Sequence, residues 1–223
     1  MKRIFVVTEG QSETNFVKRV LSPYFLEFGK ELIPNTVCTK VDKSKGRMYK
    51  GGLLHYEKAR TTIEKCLSYT KKADTFVTTM FDFYGLPNDT PGMNKIKNCA
   101  TKYDAVSVIE NEMIVRENLS KAVYFPYIQL HEFEALLFTN LDFLAERYFE
   151  YDIQLLRDCL SEKKNPELIN DCKETAPSKR ILSCIPDYDK AGVGVAILEK
   201  IGVDVLCASC KHFSEWIDCI KRL

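Results

Sequence analysis

The sequence predicts an α/β protein, a mainly parallel β-sheet flanked by helices with a helical elaboration in the C-terminal half. Three observations carry that prediction. Continuous apolar runs rich in β-branched and aromatic residues recur at 3–8 (RIFVVT), 75–81 (TFVTTMF) and 123–130 (VYFPYIQL), the pattern of strands buried on both faces. Each run stops at an acid: Glu9, Asp82, and Glu132 beside His131. Between the runs, apolar residues recur at helical spacing, and strands alternating with helices imply βαβ crossovers in a parallel sheet.

The elements follow in order. Residues 3–8 form the first strand, closed by Gly10. Ser12 offers an N-cap to a helix carrying Phe16, Val17, Val20, Leu21, Tyr24 and Phe25, which Pro23 should kink or split. Val37, Thr39 and Val41 share one side, predicting a second strand over 36–41. Residues 40–50 hold five Lys or Arg against one Asp and, with Gly46, Gly51 and Gly52, read as a mobile loop. Leu54, Ala59, Ile63 and Leu67 mark a helix, 75–82 the third strand, 85–94 a loop, and Val106, Ile109 and Met113 another helix. After the fourth strand, helices are expected at 132–138, 141–148, 153–160, from Pro177 onward and at 193–200, proline being favoured in a first helical turn. Residues 203–208 read as a late strand, and Phe213, Trp216 and Ile220 as the buried face of a final helix.

Length and composition bound the rest. A chain of 223 residues suits one domain over 1–223, with 141–190 as a helical lobe within it. With 45% hydrophobic and 28% charged residues it folds rather than staying disordered. A net charge of +1 excludes a protein that grips duplex DNA over its whole surface, so a nucleic-acid site must be a local patch. The apolar stretch at 4–7 is too short for a signal peptide, and no stretch approaches the roughly 18 apolar residues of a membrane helix. A cytoplasmic protein without a membrane partner is therefore expected, its nine cysteines present as thiols. Cys207, Cys210 and His212 resemble half a zinc site, but no second pair at comparable spacing accompanies them.

The acidic strand ends point to chemistry. Ligands of open parallel sheets bind beyond the carboxyl ends of the strands. Carboxylates that converge there need a proton or a cation to relieve their repulsion. Mg²⁺ or Mn²⁺ suits such oxygen-rich sites and takes its remaining ligands from water and phosphate, which is the setting of phosphoryl transfer. A lone acid at a strand end is more often a helix cap, yet glutamate caps poorly, so Glu9 is the least cap-like of the three. In an α-helix Glu134 points about 200° away from Glu132, so both serve one site only if the helix begins at or after Glu132.

The segments EGQSETNF, TTMFDFYGLP, PYIQLHEFEALLF, NPELINDCKETAPSKRI and CKHFSEWIDCI together resemble, in order and over nearly the whole chain, a bacterial family catalogued as domain of unknown function 4276. That resemblance implies a Toprim-like (Rossmann-like) domain similar to those of topoisomerases, primases and OLD-type nucleases, in some members beside ATPases of the ABC/SMC type. The Toprim pattern is a glutamate and glycine after the first strand, then Asp-x-Asp after a later one. Glu9, Gly10 and Asp82 match it, whereas Tyr84 stands in place of the second Asp.

The expectation that follows is Mg²⁺- or Mn²⁺-dependent cleavage of nucleic acid, DNA before RNA. Glu9 would be general base or metal ligand, Asp82 the principal ligand, and Glu132 would complete the cation site with Glu134 and His131 as secondary candidates. Lys43, Lys45, Arg47 and Lys50 would hold the substrate backbone, and Lys179 and Arg180, beside a helix start, a further phosphate. The rival expectation is a non-catalytic subunit that docks an ATPase or binds a nucleotide, and a second enzymatic rival acts on a small phosphate ester.

Overall fold

The structure, a computed structural model, describes residues 1–37, 40–42, 47–49, 53–71, 74–119, 122–169 and 173–223. Its strands are β1 (Lys2–Thr8), β2 (Lys30–Thr36), β3 (Lys40–Asp42), β4 (Arg47–Tyr49), β5 (Thr75–Asp82) and β6 (Ile128–Gln129). The main sheet has the order β2-β1-β5-β6, and β1 pairs in parallel with both neighbours. This is the α/β architecture the apolar runs predict. The chain divides into two compact units, Met1–Ile128 and Gln129–Leu223, and the predicted lobe at 141–190 falls within the second.

In the first unit, β1 is buried from Ile4 to Thr8 and β5 over most of its length, which is why both are legible as continuous apolar runs. The helix after β1 starts one turn from the strand as α1 (Gln11–Phe16) and passes through a π-helical stretch, Val17–Leu21. It resumes as α2 (Ser22–Leu26) with Pro23 in its first turn. The split follows from the missing N–H of Pro23. Its N-cap is Gly10, not Ser12. The Gly10 N–H donates to Oε2 of Glu13 at 2.9 Å, so the helix start is held by the third helical residue reaching back.

The second strand departs from the prediction. It lies at Lys30–Thr36, and residues 38 and 39 of the expected run lie outside the described residues. Pro34 argues against a strand unless it sits on an edge, and β2 is an edge. Val37 N–H donates to the Thr8 carbonyl, so odd-numbered residues face β1 and Pro34 faces outward, where no donor is needed. The outward carbonyl of Leu32 accepts from the Ser22 hydroxyl at 3.0 Å. Instead of a plain loop, the described part of the basic segment forms an antiparallel pair, with Lys40 opposite Tyr49 and Asp42 opposite Arg47.

Helix α3 (Tyr56–Leu67) buries Tyr56, Ala59, Ile63 and Cys66, while Leu54 stays exposed ahead of it. Helix α4 (Lys102–Arg116) opens on a Thr101/Asp104 capping box and buries Val106, Ile109 and Met113. The fourth strand is shorter than expected because Pro126 interrupts its ladder. Threonine hydroxyls of β5 replace backbone partners there. Thr78 donates to the Phe125 carbonyl at 2.6 Å, and Thr79 both donates to the Tyr127 carbonyl and accepts from its N–H, at 2.9 and 3.0 Å.

The second unit is helical: a 3-10 stretch Phe133–Thr139, α5 (Asp142–Arg147), α6 (Gln154–Lys163), α7 (Pro177–Cys184), a π-turn Lys190–Gly194, α8 (Val195–Ile201), α9 (Val203–Ser209) and α10 (Lys211–Arg222). Residues 203–208 are thus helix and not strand. The buried positions are Val203, Leu206 and Cys210, spaced as on a helix, while Val205 is exposed. Helix α10 turns Phe213, Trp216, Ile217 and Ile220 inward.

Candidate functional site

Within the first unit, Thr8 of β1 pairs with Met80 of β5, so Glu9 and Asp82 leave neighbouring parallel strands at the same end. Asp82 is buried and begins the tight turn Phe83–Gly85. That turn brings Gly85 against the Glu9 carboxylate: a Cβ on Gly85 would stand 2.6 Å from Oε2 and 2.8 Å from Oε1. The glycine is required by this approach rather than by its backbone angle. One oxygen of Glu9 and one of Asp82 are shielded from solvent. Tyr84 stacks at a tilt on Phe83, centroids 5.8 Å apart, and the Lys102 ammonium lies 5.7 Å from the Phe83 ring centre.

Threonines brace this end of the sheet. The Thr14 hydroxyl lies 2.8 Å from the Gly10 carbonyl, 2.6 Å from the Thr8 hydroxyl and 2.7 Å from that of Thr36. A hydroxyl has one proton. Thr14 gives it to Gly10, so Thr8 and Thr36 both donate to Thr14, tying α1 to the ends of β1 and β2 directly beside Glu9.

Within the second unit, His131, Glu132 and Glu134 have three different settings. His131 is buried with φ of 61°, a left-handed conformation uncommon for a side chain of this size. Glu132 Oε2 accepts the Ser178 N–H at 3.0 Å, placing a carboxylate at the N-terminus of α7. The anion site expected for a phosphate beside Lys179 and Arg180 therefore holds Glu132, and Arg180 Nε donates to the Thr175 carbonyl at 2.8 Å. Glu134 has no exposed surface and pairs with Lys190, Nζ to Oε2 3.0 Å. Burial pushes its pKa up, opposed by the Lys190 charge.

Sequence reasoning missed Lys190 and Glu167, and it placed Gly85 in a turn without its approach to Glu9. Glu167 is fully buried and takes the N–H groups of His212 and Phe213, at 3.0 and 2.9 Å, capping α10 from 45 residues away. No local signal marks a cap of such range, whereas the FDFYG run did mark Gly85 as a turn. Lys43, Lys45 and Lys50 lie outside the described residues, and Arg47 belongs to β4. Cys207, Cys210 and His212 are not grouped to hold a metal ion; burial pushes the thiols of Cys207 and Cys210 up to about 11 and 12, and Cys210 lies 3.6 Å from the Thr139 hydroxyl.

Among the described residues, no group of three or more His, Cys, Asp or Glu side chains is placed to hold a metal ion. The pair Glu9 and Asp82 still fits Mg²⁺ chemistry, because that ion commonly takes one or two carboxylates and completes its shell with water and substrate phosphate. No helix among the described residues is long and apolar enough to cross a membrane.

A family model described as Domain of unknown function (DUF4276) matches residues 8–221. No curated protein and no solved structure matches the chain. Because the match begins at the last residue of β1, just before Glu9, and ends within α10, it takes in every acid described above, and the chain belongs to the DUF4276 family.

Proposed function

We propose that the protein is a Toprim-like nuclease that cleaves nucleic-acid phosphodiesters, DNA before RNA, with Mg²⁺ or Mn²⁺. One observation carries this reading: Glu9 and Asp82 emerge together at the carboxyl end of adjacent parallel strands, with Gly85 packed under the Glu9 carboxylate. A bound divalent ion would lower the pKa of water and stabilise the leaving oxygen. Asp82, fixed by the sheet and the turn after it, supplies the principal ligand oxygen. Glu9, held against Gly85, takes the proton of the attacking water or shares the ion. The basic segment at 40–50 supports the substrate backbone. A separate ABC/SMC-type ATPase fits as regulator by the family resemblance, and a cytoplasmic site of action is part of the same reading.

A second reading is favoured by Tyr84, which stands where the Toprim pattern expects an acid: the surface docks an ATPase or binds a nucleotide without cleaving. Purified protein incubated with plasmid, linear DNA and RNA in Mg²⁺ or Mn²⁺ separates the two. Cleavage that Glu9→Gln and Asp82→Asn each abolish supports the nuclease. Cleavage untouched by both variants overturns the site, and absence of cleavage with weakened partner co-purification in both variants favours docking.

A further inference from the structure

We infer that the second unit binds a small molecule through an oxyanion, a phosphate monoester or a carboxylate, in a cavity between the start of α5 and the wall of α6. The cavity has a volume of about 500 Å³ and is lined by Asn140, Leu141 and Asp142, which lead into α5, and by Arg157, Leu160 and Ser161 of α6. That volume is in the range of small-molecule sites. Positions 157, 160 and 161 share one face of a helix, so α6 sets a guanidinium and a hydroxyl side by side along the cavity. Across from them Asn140 is oriented by its own turn: its Oδ1 accepts the Asp142 N–H at 3.0 Å, a local bond that asparagine favours.

The balance of donors and acceptors selects the ligand. With its oxygen engaged, the Asn140 side chain has its amide nitrogen left to donate, and neither that nitrogen nor the Ser161 hydroxyl has a partner among the described residues. Arg157 meets a single carboxylate there, Nη2 to Asp142 Oδ1 at 2.7 Å, whereas a guanidinium carries five N–H groups. The unengaged groups are chiefly donors, so a ligand that satisfies them must offer acceptors. Asp142 fills that part in the free protein. Its side chain keeps 75% of its surface and that of Arg157 42%, and an ion pair so exposed contributes little. An oxyanion that takes the guanidinium through two parallel N–H bonds is held more strongly than one held by a single bond. Such a ligand therefore displaces Asp142 at small cost. The site uses neither Glu9 nor Asp82 and stands without the nuclease reading.

The experiment uses the full chain in EDTA, so that no divalent ion links a probe to Glu9 or Asp82, and reads binding by calorimetry. The probes are adenosine 5′-monophosphate, inorganic phosphate and citrate. The wild type should bind a phosphate-bearing probe if the natural ligand is a phosphate monoester, and citrate if it is a carboxylic acid. Arg157→Ala should weaken that binding by about tenfold or more. Arg157→Lys should recover only part of it, since an ammonium cannot form the paired bonds. Asp142→Asn should tighten it severalfold, because the competing charge is gone. Both side chains lie at the surface, so the variants should keep the wild-type circular dichroism and melting temperature. If the wild type binds none of the probes, or Arg157→Ala binds as the wild type does, the proposal is overturned. It is overturned equally if Asp142→Asn binds as weakly as Arg157→Ala, which would make the ion pair a structural tie between α5 and α6.

Discussion

At the scale of single residues, close contact decides more than composition. Gly85 has no side chain because the Glu9 carboxylate occupies the space. Gly85→Ala should push the flexible Glu9 carboxylate aside at a stability cost of about 1 kcal/mol or less, the low end for overpacking, and should impair cleavage more than Ala substitution of Gly29, whose Cβ would meet nothing within 4 Å although its positive φ adds some strain. Urea denaturation and a plasmid-cleavage assay read the two effects separately. Glu134 predicts a pH dependence. Burial raises its pKa, so between the ordinary carboxylate value and the raised one the folded chain holds more protons than the unfolded chain. Stability from this group therefore falls as pH rises through that window. Glu134→Gln should remove the slope, and the melting temperature of the wild type minus that of the variant should grow as pH is lowered across the window. A difference that stays flat with pH would show that Glu134 titrates as an exposed carboxylate.

At the scale of elements, the starts of α7 and α10 are held by carboxylates distant in sequence. Glu167 takes two N–H groups of α10. Hydrogen bonds to charged groups contribute about 1.5–3 kcal/mol each, so Glu167→Ala should lower stability by about 2–4 kcal/mol. Glu132→Gln should cost only about 0.5–1 kcal/mol, since it keeps an acceptor for Ser178 N–H and loses only the charge at the helix end. Chemical denaturation of the two variants tests the contrast. These elements also show what was legible beforehand. β1 and β5 were readable because they are buried over most of their length, and the acids at their ends followed. β2 was not, because Pro34 counts against a strand until one knows that it lies on an edge. The strand read at 203–208 came from its β-branched residues, and the three-residue spacing of Val203 and Leu206 decides for helix. Lys190 escaped notice since one lysine in a polar turn has no pattern. Only the fold reveals the buried Glu134 beside it.

At the scale of the whole molecule, a net charge of +1 leaves little for long-range attraction. Nucleic-acid affinity, if carried by a few fixed cations, should show a shallow salt dependence, and loss of one phosphate contact should reduce the slope of log K against log salt by about 1. Titrations of the wild type with labelled DNA between low and physiological salt measure this directly, and a steep slope would show many phosphate contacts.

The outer edge of the main sheet bears on the solution state. Along β2, Leu32 has its outward carbonyl taken by Ser22, and Pro34 has no proton to offer. A foreign strand laid along this edge meets one acceptor already engaged and one donor missing, two residues apart, so it cannot zip up in register. This edge is thereby closed to self-templated growth. Pro34→Val together with Ser22→Ala should reopen it, seen as concentration-dependent association in sedimentation velocity, with the wild type unaffected over the same range.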